Sequence, residues 1–221
     1  MRSEVSKGLR LVFAGELMVI ISTIVELACS VLAATLSGSY SSLIPGVADR
    51  AVTAPAVILT VLALAGGSAI LCGIILNIIG FRYLFPENRY FRIAFWFTLA
   101  ELALVTVTSA VTFHEIWHLV MIVVEWLPTL VIVASAVSGI SALAERLGNE
   151  ELVKHGKALR HTFVVIYILI LVLDILHAVM LERFSQSIPV RVLAVILALL
   201  AVFHSVHYAM YLRKASKETQ Q

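Results

Sequence analysis

The sequence predicts an all-α fold, a polytopic integral membrane bundle of six transmembrane helices. Three observations carry this. Hydrophobic residues make up 61% of the chain and charged residues 14%, with a mean hydropathy of +1.00; soluble domains sit nearer half apolar and a quarter charged. The apolar residues gather into six stretches long enough to cross about 30 Å of hydrocarbon. None shows the ten-residue alternation of a barrel strand, so the spans are helices.

The spans read as about 11–36, 55–80, 93–113, 119–143, 162–182 and 190–212, in one transmembrane domain over 1–221. Span one is too long, and at Glu16 and Glu26 too acidic, for a cleaved signal peptide. Glu26-Leu27-Ala28-Cys29 faintly resembles a lipoprotein cleavage site, but a glutamate argues against it. Turn formers follow, Ser37-Gly38-Ser39-Tyr40-Ser41-Ser42 and Pro45-Gly46, in a loop over 37–54. Span two carries Gly66, Gly73 and Gly80, seven apart on one face, a stripe that lets helices approach closely in lipid. A short turn at Pro86-Glu87-Asn88-Arg89 leads to span three; Tyr83, Phe85, Tyr90 and Phe91 around it suit an interfacial aromatic belt.

In span three, Glu101 falls near one line with Thr108, Thr112 and Glu115 at 100° per residue. Span four contains Pro128, which has no N–H for the carbonyl of Val124 and is expected to kink the helix beside Glu125. Its pairs Ser135–Gly139 and Ser138–Ala142 are further small-residue contacts. Gly148 suits the end of span four. Asn149 then caps a helix with Glu150 and Glu151 in its first turn, supported by Glu150–Lys154 at i, i+4. Span five is expected to begin there, outside the membrane, and run straight into it. Asp174 and His177 share a face of span five. His204, His207, Tyr208 and Tyr211 share one on span six, before a short basic tail.

The net charge of +2 is too small to imply nucleic acid, but its distribution is uneven. Thirteen of the 16 basic residues fall at one end of the spans: Arg2, Lys7 and Arg10; Arg82, Arg89 and Arg92; Arg146, Lys154, Lys157 and Arg160; Arg213, Lys214 and Lys217. Only Arg50, Arg183 and Arg191 fall at the other. The positive-inside rule then puts both termini in the cytoplasm. Cys29 and Cys72 lie at different depths, which argues against a disulfide. The first three spans do not align with the last three as a repeat.

Three short elements carry a resemblance. They are Gly80-Phe81-Arg82-Tyr83 with Glu87-Asn88 and Phe91; Gly148-Asn149-Glu150-Glu151-Leu152 with Gly156-Lys157; and Tyr211-Leu212 with Ala215-Ser216-Lys217. With the six-span layout, the chain resembles a loose group of uncharacterised bacterial multi-pass membrane proteins. The resemblance implies a bacterial inner membrane and brings no activity or catalytic residue with it.

Function has to be read from polar residues inside the spans. These are Glu16, Glu26, Glu101, Glu125 and Asp174, with His177, His204 and His207, and no Lys or Arg. A charge at mid-membrane costs about 2.5–3.5 kcal/mol on insertion scales. The acids are therefore expected to face the bundle interior and to be protonated, paired or bound to a cation. Such a route favours a proton, a metal ion or an organic cation over an anion. The bland alternative is carboxyl groups that simply hydrogen-bond helices together.

The leading expectation is a small transporter or permease for a cation or a proton-coupled small solute. Its site would be Glu26, Glu101, Glu125, Asp174 and His177, with Pro128 as a helix break. No cofactor is required. A second expectation comes from His114-Glu115-Ile116-Trp117-His118, an H-E-x-x-H pattern resembling zinc metalloproteases. There His114 and His118 would hold zinc or another divalent metal and Glu115 would act as general base. The pattern falls where spans three and four turn, and Leu173-Asp174-Ile175 lacks the Pro or Gly of the intramembrane proteases' second motif. Haem would need two histidines at equal depth on facing helices, which the spacing does not supply. A third expectation is a non-enzymatic membrane module that binds partner proteins through its small-residue faces, which could also serve an oligomer.

Overall fold

The computed structural model describes residues 2–40, 48–110, 115–179 and 188–220, with side chains mainly over 3–29, 60–108, 126–173 and 195–220. It is all-helical over these residues: α1 (Arg2–Tyr40), α2 (Ala48–Leu84), α3 (Arg89–Ala110), α4 (Glu115–Arg146), α5 (Glu150–Val179) and α6 (Ile188–Glu218). Six of its helices are long and apolar enough to cross a membrane. Each packs on its neighbours in sequence, and α6 returns to α1, so the six form a closed ring; α4 also touches α6.

The helices overrun the expected bounds. The apolar stretch of span one starts at 11, yet α1 begins at Arg2, because Val5 and Leu9 are buried and Ser6 Oγ donates to Ser216 O at 3.0 Å. The basic tail is not a tail: α6 continues to Glu218, burying Ala215, Ser216 and Thr219. Both chain ends thus pack together at the basic end of the ring. At the other end α1 runs through Ser37–Tyr40, where turn formers led us to expect a loop. Ser and Gly oppose a helix only weakly, and extending an existing helix is far easier than starting one.

The sharpest packing is between α1 and α2. Gly8, Gly15 and Ser22 meet Gly80, Gly73 and Gly66, both sets spaced by seven and running antiparallel. A Cβ on Gly8 would stand 2.9 Å from Gly80 O, and one on Gly73 would stand 2.8 Å from Gly15 O. Ser22 Oγ donates to Gly66 O at 2.7 Å. The glycine face of α2 is therefore covered by this chain's own α1.

The basic-end connections are capped as the sequence suggests. Gly148 takes φ 70°; its N–H donates to Glu145 O and that of Asn149 to Ala144 O, closing α4. Asn149 Oδ1 then accepts from Leu152 N–H at 3.0 Å and opens α5. Asn88 does the same for α3, accepting from Tyr90 and Phe91 N–H at 3.0 and 3.2 Å, while its Nδ2 donates to Gly139 O. Phe91 is not a belt residue as expected. It is fully buried against Gly139, whose missing Cβ makes the room. Glu151 pairs with Lys214 of α6 at 2.8 Å. Cys29 and Cys72 are free thiols.

The buried core lies toward the basic end: Leu9, Phe81, Leu84, Phe91, Ile140, Leu152, Phe163, Tyr208 and Leu212. Outward-facing residues along the spans are mostly apolar, with Leu64 67% and Met210 62% exposed, a surface suited to lipid rather than water.

Candidate functional site

The ring encloses a cavity of about 300 Å³ to which all six helices contribute. Most of its lining is aliphatic or aromatic. Its polar groups are Glu16 and Thr23 from α1, Asn77 from α2, Glu101 from α3, Thr129 from α4, Tyr167 from α5, and Ser205 and Tyr208 from α6. At about 1.5 Å per residue, Glu16 lies roughly 9 Å along its helix from Arg10 and Glu101 roughly 14 Å from Arg92. The cavity thus sits inside the apolar zone, above the packed basic end.

Each carboxylate is held by a neighbouring helix. Asn77 Nδ2 donates to Glu16 Oε1 at 3.0 Å, and Thr129 Oγ1 donates to Glu101 Oε1 at 2.8 Å. Glu16 and Glu101 line the same cavity. Two further atoms stand out. Tyr208 Oη and Asn77 Oδ1 are buried side-chain atoms with no hydrogen-bond partner, in residues only 1% and 6% exposed. Burial of a polar group without a partner costs about 1–3 kcal/mol. Asn77 Oδ1 packs on Gly15, where a Cβ would collide with it. Tyr208 is one of the cavity's lining residues.

An aromatic run forms one wall. Trp126 and Tyr167 meet edge to face at 5.3 Å, and Tyr167 stacks on Phe163 at 4.0 Å. Thr129 stands one residue after Pro128. Pro128 has no N–H to donate to the carbonyl of Val124, yet α4 runs on through it.

Of the residues expected to form the site, Glu101 lies in this cavity. Glu26 does not line it; it lies along Gly66, its Oε1 3.8 Å from where a Cβ would be, and its side chain is exposed in the isolated chain. The side chains of Glu125, Asp174 and His177 lie outside the described residues; their backbones stand in α4, one turn before Thr129, and in α5, beyond Tyr167. His114 also lies outside, as do the side chains of Glu115 and His118. Among the described residues, no group of three or more His, Cys, Asp and Glu is placed to hold a metal ion.

The histidines of α6 face different ways. His204 Nε2 donates to Leu159 O at 3.1 Å, whereas His207 Nδ1 bonds Phe203 O of its own helix.

Sequence reasoning named Glu16 as an intramembrane acid but left it out of the site. It also missed Asn77, Thr129 and Tyr167. The available signal was Asn77, a lone amide in an otherwise apolar span.

The ring of apolar helices and its lipid-suited exterior fit a multi-pass membrane protein of the α-helical class. No protein-family model, curated protein or solved structure matches the chain.

Proposed function

We propose that this protein is a small membrane carrier for a cation or a proton-coupled small solute, with Glu16 and Glu101 as the exchangeable binding groups. The observation that carries the reading is the convergence of two carboxylates, from α1 and α3, on one cavity inside a closed ring of six helices. A structural carboxyl needs only hydrogen bonds. Here each acid already has a donor and still borders open volume beside an unsatisfied tyrosine hydroxyl.

In this reading the segments of α4 and α5 that carry Glu125, Asp174 and His177, beyond the cavity from the basic end, are where further groups of the site are sought. The uneven basic residues support cytoplasmic termini. The resemblance of the three short elements supports a bacterial inner membrane.

Labelling with dicyclohexylcarbodiimide, which attacks protonated carboxyls in apolar surroundings, tests the reading. Modification of Glu16 or Glu101 that cations suppress is the expected result. Absence of labelling in the folded protein, or labelling insensitive to every cation tried, would overturn it.

A further inference from the structure

Resting on that carrier reading, we infer that the cavity takes a protonated primary amine with an apolar, preferably aromatic, body. Three features of the lining argue for it.

The first is sign and number. Two carboxylates can share one monocation and one proton, so a single ammonium leaves the apolar site with no net charge. The titratable lining groups are Glu16, Glu101, Tyr167 and Tyr208; His204 is turned to Leu159 O.

The second is the unpaired hydroxyl. A primary ammonium carries three N–H donors. Glu16, Glu101 and Tyr208 Oη supply three acceptors, and Tyr208 Oη is the fully buried one without a partner. A quaternary ammonium has no N–H and would leave that hydroxyl unsatisfied.

The third is the wall. Trp126, Tyr167 and Phe163 present a continuous aromatic surface, which favours a cation and its apolar substituent. A small inorganic cation needs about six oxygen ligands or its own water shell. The oxygens of this lining are spread over all six helices and set among aliphatic and aromatic side chains.

Amine binding then exchanges for a proton. With both carboxyls protonated the empty site is neutral; the ammonium takes the place of one of the two protons, which leaves to solvent, and the other stays with the pair.

Calorimetry on the whole protein in mild detergent, with 2-phenylethylammonium as probe and an indicator dye reading pH, tests this. The expected result is saturable binding with release of about one proton per amine. The N,N,N-trimethyl analogue should bind about tenfold more weakly or worse. Tyr208→Phe, which keeps the ring, should narrow that difference, and the double variant Glu16→Gln/Glu101→Gln should abolish proton release.

Equal binding of the trimethyl analogue would overturn the amine inference. So would proton release by sodium or potassium without any by the amine, although the carrier reading would stand. If no cation releases a proton from folded protein, and Glu16→Gln and Glu101→Gln change nothing, both readings fall.

Discussion

Asn77 on α2 donates its amide N–H to the Glu16 carboxylate on α1 across 3.0 Å, inside the cavity and beside Gly15. The pair exists because glycine at 15 lets the Asn77 oxygen close against the α1 backbone. The helix contact and the polar site are therefore one construction. Replacing Asn77 by Leu leaves a buried carboxylate without its donor, at a cost of about 1–3 kcal/mol. Thermal unfolding in detergent should show a lowered midpoint, and the loss should shrink when Glu16→Gln is made as well. Independent, additive losses would deny the coupling.

Thr129→Val removes the donor to Glu101 with little change of volume. Hydrogen bonds to charged groups are worth about 1.5–3 kcal/mol, so cation affinity should fall about tenfold or more. The fold should survive, since the backbone of α4 is untouched. Isothermal titration with the purified variant checks this, with monodispersity by size exclusion as the control.

The paired glycines give a contrast within one helix. Gly73→Ala and Gly80→Ala would drive a Cβ to within 2.9 Å or less of α1 atoms, and overpacking of this kind costs about 1–3 kcal/mol. Gly67 has nothing within 4 Å of its Cβ position, so Gly67→Ala should be neutral or stabilising by up to about 1 kcal/mol. Melting midpoints of the three variants should separate accordingly. Equal midpoints would argue against the observed α1–α2 register.

At the basic end, Gly156→Ala should be among the most damaging single changes. Its Cβ would collide with Ser141 Oγ and Tyr211 Oη, which join α4 to α6 at 3.3 Å, while Tyr211 Oη also donates to Leu152 O. Gly148→Ala has open space but a φ of 70°, and should cost only about 1–2 kcal/mol. Expression yield and melting midpoint of the two variants give the order.

Much of the architecture is legible in the sequence because lipid imposes a simple rule: long apolar stretches must be helices. The caps at Asn149 and Gly148 are local and were equally readable. The helix ends were not, because Val5, Ser6 and Ser216 extend α1 and α6 only by packing on each other. The same holds for the site. Glu101 announces itself as an acid among aliphatics, but its partner Thr129 comes from another helix, and spacing along one chain cannot show it. The glycines of α2 were plain, while the matching Gly8, Gly15 and Ser22 gain meaning only once α1 is laid antiparallel. The three elements that carry the resemblance hold Asn88, Phe91, Asn149, Gly156, Tyr211 and Ser216. These are the residues that cap and join helices at the basic end, so those elements belong to the frame and not to the cavity.

The most direct test of the carboxylate pair is cation–proton exchange in proteoliposomes loaded with acid and a pH-sensitive dye. With protein-free liposomes as the baseline for amine that crosses lipid as its free base, external cations, amines included, should raise the internal pH further through the wild-type protein, and the Glu16→Gln/Glu101→Gln variant, reconstituted at equal yield, should match that baseline. Wild-type rates in that variant, or no exchange by the wild type with any cation, would contradict the account.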